Sequence, residues 1–177
     1  MATWDADAET TRPVDFRLVQ TSFIAMFWRP ALLEDTLGQL RSLDYRVIEF
    51  DAGAWSSDAE MYGDIASQLG FPDYFGRNLD ALNDCMSDVA SGSYGWSVGT
   101  DTGLVIVLRE FDAFAAGNRR IAQRLLEIIA VQARYAMLFG HRIICLVQSN
   151  DPRSDFEPVG AAVAWNDAEW FDSERGL

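Results

Sequence analysis

The sequence contains no lysine; all fourteen of its basic residues are arginine. Schiff-base chemistry, a P-loop lysine and a response-regulator lysine are therefore excluded. Histidine occurs once, as His141, and cysteine twice, as Cys85 and Cys145, so no Cys/His zinc site of recognisable spacing can be assembled. Each cysteine lies inside an apolar pattern, where a buried free thiol is the ordinary state. No stretch approaches the roughly 20 apolar residues of a membrane span. The first seven residues, MATWDAD, are acidic with no apolar run behind them, so no signal peptide is expected and the expected location is cytoplasmic. Bases are also scarce relative to acids, 14 against 27, giving a net charge of −13 and a pI near 4.3. Such a chain repels nucleic acids and anionic membranes and attracts cationic partners. The 177 residues are 49% apolar and 12% aromatic, enough for the buried core of one domain.

Residues 1–15 read as a loose acidic lead-in. Residues 22–28 (SFIAMFW) read as a buried strand, stopped before Pro30. That proline suits the first turn of a helix carrying Leu32, Leu33, Leu37, Leu40 and Leu43. A second strand is expected over 46–51. Ser56 and Ser57 with Glu60 then offer a capping box for a helix to about Leu69, with Gly70 as its stop. A third helical region spans 71–90, followed by a Gly- and Ser-rich loop to residue 102 that is expected to be flexible. Residues 103–108 (GLVIVL) form the most continuous apolar run and read as a central strand. Asn118 is expected to cap a long helix with Ile121, Leu125, Ile128, Ile129, Ala136 and Leu138 inward, and 141–147 reads as the last strand of the core. Residues 150–177 carry seven acids and two arginines, with Trp165, Trp170 and Phe171 interleaved. This predicts a tail that packs its aromatics back on the domain, with a short edge strand within 161–165. The alternation predicts an α/β fold with a mostly parallel sheet of about four strands covered by helices. The domain is expected over 16–149, made of a β-α addition (16–45) and a core (46–149).

The segment 71–88 carries the most information. Asn78 reads as a helix N-cap, placing Leu79, Leu82 and Met86 on one face. The opposite side presents Asp80, Asp84 and Asp88 at i, i+4, i+8, a row of like charges that costs a few tenths of a kcal/mol per pair. The helix dipole eases Asp80 in the first turn and does not ease Asp88 at the far end. Such a row is either a solvated face or a carboxylate ridge for a cationic partner, with Tyr74 and Phe75 as aromatic anchors beside it.

The run FPDYFGRNLDALNDC over 71–85 resembles the signature of the barstar family, intracellular protein inhibitors of the ribonuclease barnase. The likeness rests on Pro72, the aromatic pair Tyr74-Phe75, Gly76, Asn78-Leu79-Asp80-Ala81-Leu82 and Asp84-Cys85, and extends more loosely from Arg46 to Val147. It implies that this helix and the loop before it enter a ribonuclease active site. There Asp84 would occupy the pocket for the substrate phosphate, with Asp80 beside it, Tyr74 packing on the enzyme, and Gly76 and Asn78 shaping the loop. Three positions depart from the family. Asn83 stands where a tryptophan of the binding helix is expected, Arg77 replaces an acid, and Val131 replaces a glutamate of the later helix, with Glu127 one turn earlier. Residues 118–142 also hold five arginines against that one glutamate.

The expected partner surface is thus Tyr74, Phe75, Gly76, Asn78, Asp80, Asn83, Asp84 and Asp88. The expected partner is a ribonuclease or basic toxin, bound by a monomer that needs no cofactor or metal and has no catalytic residues. Two other readings compete: a regulatory binding module on the same fold, and an enzyme with an acidic Mg²⁺ site. The enzyme would draw on Glu49, Asp51, Glu110 and Asp112, which strand-end positions bring to the C-terminal edge of the sheet. His141 as a catalytic base lacks a Ser or Cys at motif spacing.

Overall fold

A computed structural model describes residues 12–170 and 172–175. Its elements in chain order are α1 (Val14–Val19), β1 (Ile24–Phe27), α2 (Pro30–Ser42), β2 (Tyr45–Asp51), α3 (Asp58–Leu69), α4 (Leu79–Ser91), β3 (Gly103–Arg109), α5 (Phe111–Ala136), β4 (Ile143–Gln148) and β5 (Ala164–Trp165), with short 3₁₀ turns between some of them. The five strands form one sheet in the order β2-β3-β4-β1-β5, and each pairing is parallel. The α/β class and the helix-covered parallel sheet are as the alternation predicts. The fifth strand is the two-residue β5, which pairs Ala25 with Ala164 and Met26 with Trp165.

A parallel sheet must be covered on both faces, and the strands alternate accordingly. Ala25, Phe27, Val105, Val107, Ile144 and Leu146 meet α1 and α2 through Val14, Leu33, Leu37 and Leu40. Their neighbours in sequence, Met26, Ile106, Leu108, Cys145 and Val147 among them, meet α3, α4 and α5 on the other face. Both cysteines are free and buried. Burial alone pushes the Cys145 thiol far up, which leaves it a protonated core atom.

Three expectations are corrected. The described part of the supposed lead-in is not loose: Val14 and Asp15 are buried at the start of α1. Asp15 accepts from the Tyr45 hydroxyl at 2.9 Å and from Arg142 at 2.5 Å. Residues 1–11 lie outside the described residues, as does Phe171. Next, α5 begins at Phe111, two turns before Asn118, which is a kink within it at φ −135°. Phe111 and Phe114 form that first segment because Trp55 and Phe156 give them aromatic partners at 5.3 and 5.4 Å. Third, Leu138 does not point inward; it follows the helix in a 3₁₀ turn and is 79% exposed.

The tail is fastened by charge as well as by rings. Phe156 and Val159 are buried, while Trp170 stays exposed. Glu169 is fully buried and accepts the backbone N–H groups of Trp28 at 2.8 Å and Arg29 at 2.6 Å, where β1 turns into α2. Arg175 donates to the carbonyls of Pro152 and Glu169 and lies over the Trp165 ring at 4.0 Å. Arg29 pairs in turn with Asp172 and Glu174.

Two outcomes follow from this clasp and from the buried Asp15–Tyr45 pair, which the exposed Arg142 caps. Glu169→Ala leaves two N–H groups without their anionic acceptor and is expected to lower stability by about 2–3 kcal/mol in chemical denaturation. Burial pushes the Tyr45 phenol up to about 12, with the Arg142 hydrogen bond opposing and Asp15 adding to the rise. A phenol raised in the folded state contributes stability that is complete below about pH 10 and is lost as pH climbs toward the folded value. Denaturation midpoints should therefore fall between about pH 10 and 12, and Tyr45→Phe should flatten that fall.

Candidate functional site: the acidic face of α4 and its leading loop

Residues 71–78 form a braced turn. The N–H of Phe75 donates to the Pro72 carbonyl at 2.9 Å, and that of Phe71 to Ala66 at 2.9 Å. Phe71 and Phe75 meet edge to face at 5.1 Å; Phe75 also packs on Tyr62, and Phe71 on Tyr94. Phe75 is therefore an inner brace, 9% exposed, and does not offer its ring to a partner as the sequence reading expected. Its neighbour Tyr74 is 83% exposed on the same fixed backbone. An aromatic side chain held outward on a rigid turn loses little entropy when a partner covers it.

Asn78 starts α4. Its Oδ1 accepts from the Ala81 N–H at 2.9 Å, and its Nδ2 donates to the Gly76 carbonyl at 3.2 Å. A Cβ on Gly76 would stand 3.1 Å from that Nδ2, so the absence of a side chain gives the cap its room. Arg77, between them, sits in the left-handed region at φ 47°, where a non-glycine residue carries a cost of about 1–2 kcal/mol. Gly76, Arg77 and Asn78 are all exposed.

The inner face of α4 is spent on the core through Leu82, Cys85, Met86 and Val89. That leaves Asp80, Asp84 and Asp88 exposed along the outer face. Among the described residues, no hydrogen bond or ion pair from another group reaches the carboxylates of Asp80 or Asp84. Many of the chain's other acids are answered: Glu34 and Glu49 by Arg109, Asp15 by Arg142, Glu127 by Arg124, Asp172 and Glu174 by Arg29. Asp88 differs from the other two in accepting the Tyr94 hydroxyl at 3.1 Å. Burial first, then Cys85 and Asp88, push the Tyr94 phenol far up, so it remains a protonated donor.

Asn83 is half-buried, and its Oδ1 accepts from Gln132 Nε2 of α5 at 2.9 Å. It is a strut between two helices as well as a candidate contact. Gln132 is not among the residues that the sequence pattern marks. It lies on the helix face that carries Leu125, Ile129 and Ala136, and a buried amide among such residues signals an interhelical tie. The loop after α4 is also tied down rather than flexible. Trp96 is buried and donates to the Val89 carbonyl at 2.9 Å, and Asp101 accepts from the Ser97 N–H at 2.7 Å. His141 places its Nδ1 3.0 Å from the Ala90 carbonyl and its ring against Trp96, at the end of α4.

The competing acidic site does not assemble. Glu49 is occupied by Arg41 and Arg109, and no group of three or more His, Cys, Asp or Glu side chains converges for a metal among the described residues. Nor is any described helix long and apolar enough to cross a membrane.

What α4 displays is a short run of unanswered carboxylates on a rigid helix, flanked by one outward tyrosine. Such a surface can enter a cationic cleft and accept charge-assisted hydrogen bonds from Arg, Lys or His⁺ where an anionic substrate would sit. The sequence profile of the family Barstar (barnase inhibitor) matches residues 45–148, from β2 through β4. That is more than half of the chain, and the chain belongs to the barstar family. It is also similar to the Bacillus subtilis (strain 168) protein named "Putative ribonuclease inhibitor YrdF": 34% identical over 84 residues, 48% of this chain and 81% of that protein.

The loop and cap can be tested by stability. Phe75→Ala is expected to cost about 3–4 kcal/mol and Asn78→Ala about 1 kcal/mol. Tyr74→Ala should stay within about 0.5 kcal/mol of the parent in the same denaturation experiment.

Proposed function

We propose that this protein binds and inhibits a ribonuclease, or a toxin with a similarly cationic active site, by placing the outer face of α4 in the catalytic cleft. Asp84 takes the place of a substrate phosphate and Asp80 flanks it. Tyr74 covers the rim, and Gly76 and Asn78 hold the loop in the shape that brings these groups together. Asn83 and Asp88 border the contact, each held on one side by its bond to Gln132 or Tyr94. The protein acts by occupying the site, without a cofactor and without catalysing a reaction.

The observation that carries this reading is the pair Asp80 and Asp84, exposed one turn apart on the outer face of the capped helix α4, with no group among the described residues bonded to either carboxylate. Like charges repel along the row, and of the three only Asp88 serves the fold, as the acceptor of Tyr94; Asp80 and Asp84 are left for a partner. Family membership supports the same assignment, since the motif residues fall on the loop and helix that form this surface.

The test is inhibition and titration calorimetry against a panel of small basic ribonucleases that includes barnase. Wild type should bind at least one of them, with affinity falling as salt is raised. Asp84→Ala should weaken that complex by roughly 30-fold or more, the equivalent of about 2 kcal/mol for lost charge-assisted hydrogen bonds. Equal binding by wild type and by Asp80→Ala/Asp84→Ala would overturn the proposal and leave the fold as a regulatory binding module.

A further inference from the structure

The helices α1 and α2 and the tail leave a groove of about 480 Å³ between them, at the β1–β5 edge of the sheet. It is built wholly from the additions at the two ends of the chain, since each residue lining it lies outside 45–148. The space exists because small side chains line the sheet here. Ala25 and Ala164, paired in register on β1 and β5, carry only a methyl group each, and Ala168 follows on the tail. Helical spacing turns one face of α2 toward the groove, with Leu32, Asp35, Thr36 and Gln39 at i, i+3, i+4 and i+7. Val14, Arg17 and Leu18 do the same from α1.

The groove is apolar along its floor and one-sided in its charge. Arg17 is paired with Asp167 at 3.9 Å, while Asp35 receives no bond from another group among the described residues. One negative charge is therefore left over. Beside it, the buried Thr36 donates its hydroxyl proton to the Leu32 carbonyl at 2.8 Å, so what it still offers is an oxygen acceptor. Gln20 and Gln39 are exposed amides that serve either role. Trp165 and Trp170 add indole rings, whose faces attract cations. Trp165 already shows this, with the Arg175 guanidinium over its ring at 4.0 Å.

We propose that this groove binds a small organic cation, a primary ammonium carried on a compact aromatic or branched apolar group. The ammonium donates to the Asp35 carboxylate and the Thr36 hydroxyl oxygen. The apolar body lies over Ala25 and Ala164, against Leu32 and Trp165. A monocation completes the charge of the lining, whereas an anion would meet the unpaired Asp35. The volume lies within the range of small-molecule sites, about 300–1,000 Å³. A chain of net charge −13 also draws cations to its surface. The groove is on the sheet face opposite α4 and does not depend on the inhibitory reading.

Calorimetric titration of the full chain tests this with phenethylamine and isoamylamine as probes, and with hydrocinnamate as the anion built on the phenethylamine body. At least one amine should saturate at millimolar concentration or below, and hydrocinnamate should bind about tenfold more weakly or not at all. Asp35→Asn, at an exposed position, should keep the parent's thermal midpoint and weaken the amine about tenfold. Thr36→Val keeps the shape, removes the acceptor and should weaken the amine about threefold or more. Added salt should weaken the amine in the parent and have little effect in Asp35→Asn. Failure of both amines to saturate, equal binding of amine and hydrocinnamate, or unchanged amine binding in Asp35→Asn would each overturn the proposal. Nα-acetyl-lysine amide carries the same ammonium on a protein side chain. If it binds more tightly than the amines, the groove takes a lysine of a partner protein and the small-molecule assignment is overturned.

Discussion

A wholly parallel sheet has no face it can give to water, and that constraint places every other part of this chain. β3 and β4 are buried along almost their whole length, so helices must lie on both sides. The segment matching the family supplies α3, α4 and α5 for one face only. The N-terminal unit supplies the other layer with α1 and α2 and adds β1 beside β4. The tail then closes the outer edge of β1 with β5 and Glu169. The additions at both ends are thus answers to one physical demand of the core.

The same demand shapes the site. Because α4 must give Leu82, Cys85, Met86 and Val89 to the sheet, only its outer arc is free to carry chemistry. Its neighbours hold that arc rigid: aromatic rings beneath the leading loop, the Asn78 cap at the start, Gln132 at the side, and Tyr94, Trp96 and His141 toward the end. A carboxylate on such a support meets a cation without first having to be ordered, which favours both affinity and orientation.

Much of this was legible in the sequence because it depends on local chemistry. The apolar runs of β3 and β4, the caps at Ser57 and Asn78 and the stop at Gly70 all follow from neighbouring residues, and each takes its expected place. Less legible were features that need long-range partners. The partnership of Asp15 with Arg142 and that of Glu169 with β1 join residues more than a hundred positions apart. Asn118 has the chemistry of a cap, but the aromatic contacts of Phe111 and Phe114 carry the helix past it. Phe75 and Tyr74 are adjacent and similar in sequence. Only the packing of Phe71 and Tyr62 decides which ring turns inward. The outward turn of Leu138 likewise depends on the helix tightening into a 3₁₀ turn after Ala136.

The central claim is that α4 and its leading loop are the surface a ribonuclease covers. Amide hydrogen exchange of the full chain, free and bound to a ribonuclease, tests it most directly. The account predicts slowed exchange concentrated in residues 71–91, with α1, α2 and the tail unchanged by binding. Slowing confined to α1 and α2, or to residues 150–175, with residues 71–91 unaffected, would contradict it.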